Sequence, residues 1–273
     1  SACTAPKLTL DPEELYALPE LPERYTALNK QLSAIQESGA EYAAPVSGSN
    51  IQPVQMMDLD GDGREEALAF FRQSDGEKPL KIHIFTADDD NSYRQAAVIE
   101  GSGLAIYSVD YSDIDGDGRM EIIVGWRVSM ELQALTVYTL EKDGIRELAR
   151  SDYVKYAVAD LNKDGKRELT VLRANQDGEG VADCYVSKNG ALTLRSSVLV
   201  SMTMAELSQQ GRVKSGVLQD GTPALFVTGV EESAWMVTDI LTVKNGELVN
   251  ILLSDVTGVS SEIAPFSSLY PED

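Results

Sequence analysis

Histidine, cysteine and basic residues are scarce in this chain, and their scarcity excludes several kinds of protein. The 273 residues include one histidine, two cysteines and 23 lysines and arginines against 44 acidic residues, which gives a formal net charge of −21. One histidine cannot build a multi-histidine zinc or iron site, and two cysteines cannot build a disulfide-rich scaffold. A chain this acidic repels nucleic acid and anionic lipids, so we expect neither as a partner. No apolar run reaches the roughly 20 residues of a transmembrane helix.

The two cysteines lie in different contexts. Cys3 follows Ser1 and Ala2, a sequence that resembles the end of a bacterial lipoprotein signal, where a cysteine after small residues is lipidated. The alternative is an arbitrary start of the chain. Cys184 lies in a strand-like stretch and is predicted to be a small buried side chain. We therefore expect an extracytoplasmic, bacterial cell-surface protein whose membrane contact is a lipid on Cys3.

The N-terminal region differs from the rest of the chain. Four prolines punctuate residues 1–22, which predicts an extended tether over residues 1–21. The following segment, 22–45, is predicted to contain one amphipathic helix over residues 22–38. Its apolar residues recur at intervals of 3, 4 and 3, the spacing of one helical face: Tyr25, Leu28, Leu32 and Ile35.

Short apolar runs bounded by Asp, Asn and Gly dominate from residue 46 to residue 273, which predicts an all-β region. One exception is the stretch 204–210, which could form a helical turn. Hairpin turns are predicted where Asp-Gly or Asn-Gly separates two runs, since these pairs suit the positive φ angles of a type I′ turn. Such pairs are Asp143-Gly144, Asn189-Gly190 and Asn245-Gly246.

An acidic segment recurs in register along this region. Residues 58–66, 113–121 and 160–168 superpose without gaps, start 55 and 47 residues apart, and each precede an apolar run. A degenerate fourth copy, 216–224, keeps the Asp220-Gly221 turn but has lost the other acidic residues. A period near 50 residues that holds four short strands is the size of a propeller blade. The sequence thus predicts a β-propeller of at least four four-stranded antiparallel blades, preceded by a short helix.

The three intact copies share the pattern Asp-x-[Asp/Asn]-x-Asp-Gly-x-x-Glu, which predicts metal binding. Alternate oxygen side chains can converge in a tight loop, and several carboxylates without a counter-ion would repel one another. All-oxygen ligation with flexible geometry favours Ca²⁺ over Mg²⁺, so we expect up to three calcium ions; a solvated acidic turn is the alternative. The predicted side-chain ligands are Asp58, Asp60, Asp62 and Glu66; Asp113, Asp115, Asp117 and Glu121; and Asp160, Asn162, Asp164 and Glu168. Backbone carbonyl ligands are predicted at position 7, from Arg64, Arg119 and Lys166.

These loops begin like EF-hands but lack the bidentate Glu that an EF-hand has at position 12, where this chain has Ala69, Val124 and Val171. They resemble instead the FG-GAP/VCBS repeat of integrin α-subunit propellers and of many bacterial surface proteins, over roughly residues 50–255. The resemblance implies a propeller in which a calcium loop joins the first and second strands of each blade. It does not fix a function, because such repeats serve in adhesion, in polysaccharide-active enzymes and as spacers.

Other conspicuous residues favour structural roles. His83 alternates with isoleucines on one strand, and the acidic run 88–90 is predicted to be a hairpin tip. Trp126 and Trp235 border apolar strands, which favours packing over stacking on a sugar. Tyrosines that precede the second and third loops are a weak indication of a binding surface at one end of the propeller: Tyr107, Tyr111, Tyr153 and Tyr156.

The functional hypothesis from sequence is a non-enzymatic, calcium-stabilised propeller that binds a protein or glycan and is monomeric. The alternative is a polysaccharide lyase or hydrolase, or an accessory domain of one, and a third possibility is a structural spacer. No convergent cluster of acids, Tyr or Arg outside the loops is evident from the sequence to favour the enzyme.

Overall fold

The fold consists almost entirely of antiparallel strands. The computed structural model describes residues 25–74, 76–90, 92–231 and 234–253, so the predicted tether, Cys3 and the C-terminal residues 254–273 lie outside it. The described residues form two helices, α1 (Thr26–Glu37) and α2 (Met204–Gln210), and seventeen strands. Neither helix has the length and apolar character needed to cross a bilayer. The predicted all-β class with a short N-terminal helix is confirmed.

The strands form four antiparallel sheets, called blades 1 to 4 in chain order. Blade 1 comprises β1 (Glu41–Tyr42), β2 (Val54–Met57), β3 (Glu66–Arg72), β4 (Leu80–Ala87) and β5 (Tyr93–Gly101). Blade 2 comprises β6 (Ala105–Ser112), β7 (Glu121–Arg127), β8 (Gln133–Glu141) and β9 (Gly144–Asp152). Blade 3 comprises β10 (Lys155–Ala159), β11 (Glu168–Ala174), β12 (Gly180–Lys188) and β13 (Ala191–Leu199). Blade 4 comprises β14 (Arg212–Val217), β15 (Pro223–Glu231), β16 (Ala234–Lys244) and β17 (Glu247–Asn250).

Each blade contains a meander of four strands in sequential order, as predicted. Blade 1 has one more strand, because β1 pairs with the last residues of β3 on the same edge that β2 occupies further along. The pairing of the third and fourth strands shifts register at equivalent points in blades 1 to 3, after Ile84, Val137 and Cys184. Such a bulge increases the local twist of a strand pair.

The blades pack face to face in chain order. The second strand of each four-stranded meander is buried on both of its faces; these strands are β3, β7, β11 and β15. In β7, Ile122 and Val124 pack against Phe70 of blade 1. The intervening Ile123 packs on the opposite side, against Val171 of blade 3. A central strand that is buried on both faces reads as a continuous apolar run, which is why these strands stand out in the sequence.

Helix α1 covers the remaining face of blade 1. Its buried residues Leu28 and Leu32 belong to one core cluster with Ala69 and Phe71 of β3. The corresponding face of β7, which contains Val124, packs on blade 1. Helix α1 therefore occupies the position that a preceding blade would take.

Helix α2 connects blades 3 and 4. The Thr203 hydroxyl accepts a hydrogen bond from the Glu206 backbone N–H, and the Glu206 carboxylate accepts one from the Thr203 N–H at 2.9 Å, which together form a capping box. Leu207 is fully buried in the core between the two blades, with Leu225 and Val227 of β15. The predicted helical turn over residues 204–210 is confirmed.

The predicted hairpin turns connect the third and fourth strands of blades 2 to 4. In blade 2 Gly144 has a positive φ but Asp143 does not, so the predicted type I′ geometry is wrong for that turn. Asn189 and Gly190 have φ angles of 53° and 74°, and Asn245 and Gly246 have φ angles of 53° and 79°. Both central residues of a type I′ turn need positive φ, which Asn and Gly tolerate best. These local pairs therefore set the register of the outer hairpins.

Candidate metal centre

The acidic segments form equivalent loops at one corner of each blade. Loop 1 (58–66) joins β2 to β3, loop 2 (113–121) joins β6 to β7, and loop 3 (160–168) joins β10 to β11. Loop 4 (216–224) lies between β14 and β15. Each loop therefore joins the first strand of a blade to the second, as the resemblance implies.

The aspartate at position 1 organises each intact loop. In loop 1, Asp58 accepts the backbone N–H groups of Gly61 at 2.8 Å and Gly63 at 2.9 Å, one on each carboxylate oxygen. In loop 2, Asp113 accepts the equivalent N–H groups at 2.8 and 3.0 Å. Aspartate accepts bonds from nearby backbone readily, and the glycines supply positive φ angles, so the sequence wraps the chain around this side chain.

The glutamate at position 9 begins the second strand and is buried. Glu66, Glu121 and Glu168 are 2–3% exposed. Each accepts the backbone N–H of position 2 in its loop at 2.7 Å. Burial, with a smaller contribution from the nearby aspartates, raises the pKa of Glu66 and of Glu121 to about 7. Burial also raises the pKa of Glu168. A buried carboxylate with a raised pKa lacks a positive partner.

Two loops bring three acidic side chains together. One oxygen from each of Asp58, Asp60 and Asp62 lies within 4.8 Å of the others, and the same holds for a group in loop 2 that consists of Asp113, Asp115 and Glu121. Glu66 and Asp117, also predicted as ligands, lie outside these groups. In the described part of the chain no comparable group forms in loop 3. Two acidic groups could thus hold a metal ion.

Loop 3 differs because an amide replaces a carboxylate at position 3. The Asn162 amide nitrogen donates to Asp164 at 3.0 Å and to Glu168 at 2.8 Å. Its oxygen accepts the Asp164 N–H at 2.8 Å. The neutral Asn162 amide therefore donates hydrogen bonds to carboxylates that in loops 1 and 2 face one another. The prediction of a third calcium ion, in loop 3, stays a prediction.

The residues at position 7 have unlike side-chain contacts. Arg64 forms salt bridges of 2.8 Å with Asp62 and with Asp89, and its hydrogen bond lowers the pKa of Asp62. Arg119 instead donates to the Leu140 carbonyl at 2.8 Å. A lysine, Lys166, stands at this position in loop 3. The predicted carbonyl ligation by these three residues stays a prediction.

The donor sets of loops 1 and 2 fit a hard divalent cation. All side-chain donors are oxygens, and among the described residues no lysine or arginine forms an ion pair with the acidic side chains of loop 2. Burial and the neighbouring carboxylates raise the pKa of Asp115. A cation would remove this repulsion, and oxygen-rich sites of irregular geometry suit Ca²⁺.

Adjacent loops also touch, a feature that sequence analysis missed. The Met120 N–H of loop 2 donates to the Leu59 carbonyl of loop 1 at 2.9 Å, and the Arg167 N–H of loop 3 donates to the Ile114 carbonyl of loop 2 at 2.8 Å. The sequence does contain one indication of these contacts between loops. Position 4 is glycine in loops 1 and 2 but lysine, Lys163, in loop 3.

The other candidate residues have mainly structural contacts. Trp126 is 3% exposed between blades 1 and 2, whereas Trp235 is 41% exposed, with the guanidinium of Arg212 4.0 Å from its ring centroid. His83 lies beside Phe71 and Phe85, and the acidic run 88–90 is a hairpin tip between β4 and β5. Three of the four tyrosines lie between blades. Tyr111 donates a hydrogen bond to Gln55, Tyr156 donates one to Asp110, and Tyr153 is buried. These contacts weaken the hypothesis that the tyrosines line a binding surface.

A comparison with known families agrees with the repeat. Residues 58–124, which contain loops 1 and 2, match the family described as FG-GAP-like repeat. No curated protein sequence matches the chain. Among solved structures, the rhamnogalacturonan lyase YesW is similar at 15% identity and a TM-score of 0.43; the match covers 75% of this chain and 47%, about half, of the lyase. A Xanthomonas type IV secretion system related protein is similar at 13% identity and a TM-score of 0.30, over 77% of this chain and 98% of that protein.

The repeated loops and the blades therefore lead to one conclusion. The loop joins the first and second strands in each blade, and the blades stack in chain order. The chain contains an FG-GAP-like repeat over residues 58–124, and its antiparallel sheets have a β-propeller arrangement of blades.

Proposed function

We propose that the protein is a calcium-stabilised, non-enzymatic binding module of the bacterial cell surface, with a glycan or a protein as its ligand. The proposal rests on one observation, the group of acidic side chains that recurs at the same corner of blades 1 and 2. Calcium's role is structural, because the ion would neutralise the carboxylates and fix the turn that joins two strands. The residues that would hold it are Asp58, Asp60 and Asp62 in loop 1 and Asp113, Asp115 and Glu121 in loop 2.

Thermal unfolding with and without calcium tests this role. Exhaustive chelation should lower the Tm, and calcium should restore it, because an ion that binds only the folded chain stabilises it by mass action. Mg²⁺ at the same concentration should restore less, since it binds irregular oxygen sites reluctantly. An unchanged Tm after chelation would rule out a structural ion.

A cleft of about 290 Å³ between blades 1 and 2 is a candidate site for a glycan. It is lined by Trp126, which is 3% exposed, and by the exposed side chains of Lys78 and Arg150. Arg150 also forms a salt bridge with Glu147 at 2.8 Å, and Glu100, which lines the cleft as well, accepts a hydrogen bond from Lys81 at 2.6 Å. An aromatic side chain with a few charged groups is typical of ligand sites.

Native electrophoresis through gels that contain neutral or acidic polysaccharides tests the ligand. A glycan-binding module should be retarded by one of them without producing new reducing ends, and Lys78→Ala with Arg150→Ala should reduce the retardation. Lys188→Ala, at an exposed hairpin tip of blade 3, is the matched control. New reducing ends would instead favour the enzymatic alternative, and no retardation in any gel would leave a protein as the ligand class.

The cell-surface location is a separate part of the proposal. It is supported by the sequence Ser1-Ala2-Cys3 and by the proline-rich segment that follows. Metabolic labelling with a palmitate analogue in bacteria that express the full precursor should label the wild-type protein but not Cys3→Ala. An unlabelled wild-type protein would contradict the lipid anchor and leave the binding function intact.

A further inference from the structure

The three intact loops are linked by a series of hydrogen bonds that alternates between glutamate side chains and the backbone. Glu66 accepts the Leu59 N–H at 2.7 Å, and the carbonyl of the same Leu59 accepts the Met120 N–H at 2.9 Å. Met120 immediately precedes Glu121, which in turn accepts the Ile114 N–H at 2.7 Å. The series then repeats, through the Ile114 carbonyl, the Arg167 N–H and Glu168. Each predicted glutamate ligand is thus one or two hydrogen bonds from the next loop.

Close packing at position 4 reinforces this series. A Cβ atom on Gly61 would lie 2.7 Å from the Gly118 carbonyl oxygen of loop 2, and one on Gly116 would lie 3.3 Å from the Gly165 carbonyl oxygen of loop 3. The first distance is shorter than any normal contact. The neighbouring loop therefore requires glycine at Gly61 and favours it at Gly116, and a φ of 74° at both residues also favours glycine.

The series ends at loop 3 for a reason visible in the sequence. Position 8 of loop 4 is Pro223, which has no N–H to donate to the loop 3 carbonyl, and position 9 is Ala224. A cavity of about 330 Å³ separates loop 3 from this part of blade 4, with Leu161, Lys163 and Pro223 in its walls. Lys163 can therefore stand at position 4 of loop 3.

We propose that loops 1 and 2 bind divalent cations cooperatively, with Gly61 as the positioning residue that transmits the effect. The inference rests on the calcium binding proposed above. An ion that pulls Glu121 and the loop 2 backbone into place fixes Met120. The Met120 N–H holds the Leu59 carbonyl, and the N–H of the same Leu59 residue orients Glu66. Binding at one loop thus lowers the ordering cost at the next, which is positive coupling without a large structural change.

Electrostatics act in the opposite direction, which allows the two effects to be separated. Each bound ion removes part of the negative potential that attracts the next ion, so purely electrostatic loops would bind with negative cooperativity. High salt shortens the screening length to ~3 Å at 1 M and weakens this term, whereas a short backbone hydrogen bond persists. Cooperativity should therefore increase with salt concentration.

A calcium titration of the full chain followed by amide NMR tests the coupling, since Gly63, Gly118 and Gly165 report one loop each. In the wild type the Gly63 and Gly118 signals should shift with a common midpoint and a Hill coefficient above one. Asp115→Asn with Glu121→Gln removes two charges from loop 2 but keeps oxygen acceptors there. Measured in 1 M salt, where the electrostatic effect of the lost charges is screened, this pair should weaken loop 1 about fivefold or more. The equivalent pair in loop 3, Asp164→Asn with Glu168→Gln, should affect loop 1 less, because loop 3 does not touch it.

Gly61→Ala and Gly63→Ala form a matched pair of variants. Both put alanine at a positive φ in loop 1, but only the Cβ of Gly61→Ala meets loop 2, whereas nothing lies within 4 Å of the Cβ at Gly63. Gly61→Ala, which disturbs the contact between the loops, should therefore separate the Gly63 and Gly118 midpoints, whereas Gly63→Ala should shift the reporters of both loops together. Equal separation of the midpoints in the two variants, or independent midpoints in the wild type, would overturn the coupling while leaving calcium binding in place. A wild type that binds no calcium would overturn both.

Discussion

The interface between blades 1 and 2 and the interface between blades 3 and 4 join similar sheets by different means. At the first interface, loops 1 and 2 share a backbone hydrogen bond, from Met120 to Leu59, above a continuous apolar core. At the second, Pro223 replaces the donor and a cavity of about 330 Å³ separates the loops. Helix α2 provides additional apolar contact at this second interface, because its Leu207 lies in the core between the two blades.

The difference shows that one repeated unit can be joined with or without acidic loops. Loss of the ligands in loop 4 coincides with loss of the loop-to-loop contact, and a short helix that buries Met204 and Leu207 between the blades substitutes for it. We therefore expect the interface of blades 1 and 2 to respond to calcium and the interface of blades 3 and 4 to respond to its apolar packing alone.

Leu207→Ala should give the largest effect on the second interface. Leu207 is fully buried, so its truncation should cost about 2–5 kcal/mol, and each kcal/mol lowers the Tm of a domain this size by roughly 2–4 °C. The rise in Tm on adding calcium should equal that of the wild type. Calorimetry with and without calcium measures both quantities, and Leu194→Ala, at a 46% exposed leucine, is the control. A smaller response to calcium in Leu207→Ala would show that the interfaces are not separate.

The pH dependence should be the next effect and concerns the acidic loops. Burial raises the pKa of Glu66 and Glu121 from 4.5 to about 7, so the calcium-free folded chain retains protons that the unfolded chain releases between these values. Its stability should therefore fall as the pH rises through this window. Calcium needs the deprotonated carboxylates, so its affinity should rise over the same range and level off above about pH 7.

Melting curves at several pH values with chelator and with calcium give the measurement. Glu66→Gln with Glu121→Gln should flatten the calcium-free dependence, because neither amide titrates. A calcium-free protein that becomes more stable as the pH rises would contradict the assigned pKa shifts.

The sequence predicted features that depend on a few neighbouring residues. Wrapping of the backbone around Asp58 and the turn at Asn189 follow from local chemistry. Because the loop pattern recurs along the chain, it is also easier to recognise in the sequence. Pairing of β1 with β3 and contact between Met120 and Leu59 depend on residues about thirty and sixty positions apart. Nothing in the local pattern of either partner indicates these contacts. The burial of a side chain also depends on residues that are distant in the sequence. Packing was therefore predicted for both tryptophans, although Trp126 is buried and Trp235 is exposed.

Thr203→Ala tests the helix at the second interface with a smaller perturbation. Removing the capping hydroxyl should cost about 1 kcal/mol, with or without calcium, because the first turn of α2 loses its side-chain acceptor. Thr203→Ser keeps the hydroxyl and should restore most of the loss in urea unfolding. If serine and alanine behave alike, the capping box is not what stabilises α2.

Arg64→Ala and Arg119→Ala should give the smallest effects and compare loops 1 and 2 directly. The Arg64 salt bridges are exposed, so the free energy of unfolding should change by less than ~1 kcal/mol. Arg64 competes with a cation for Asp62, so its removal should strengthen calcium binding at loop 1 by about twofold to fivefold. Arg119 contacts a carbonyl and should leave loop 2 unchanged in the same titration. Equal changes at both loops would indicate a general charge effect.

Helix α1 covers the outer face of blade 1 and so closes one end of the stack of blades. It covers the face of β3 that corresponds to the blade-contacting face of β7, and its outward residues, such as Lys30, Ser33 and Glu37, are polar and exposed. In repeat proteins a terminal unit with a polar outer side prevents further stacking. A duplicated blade could therefore be accommodated after blade 1 but not before it, and a chain without α1 would expose the apolar face of β3.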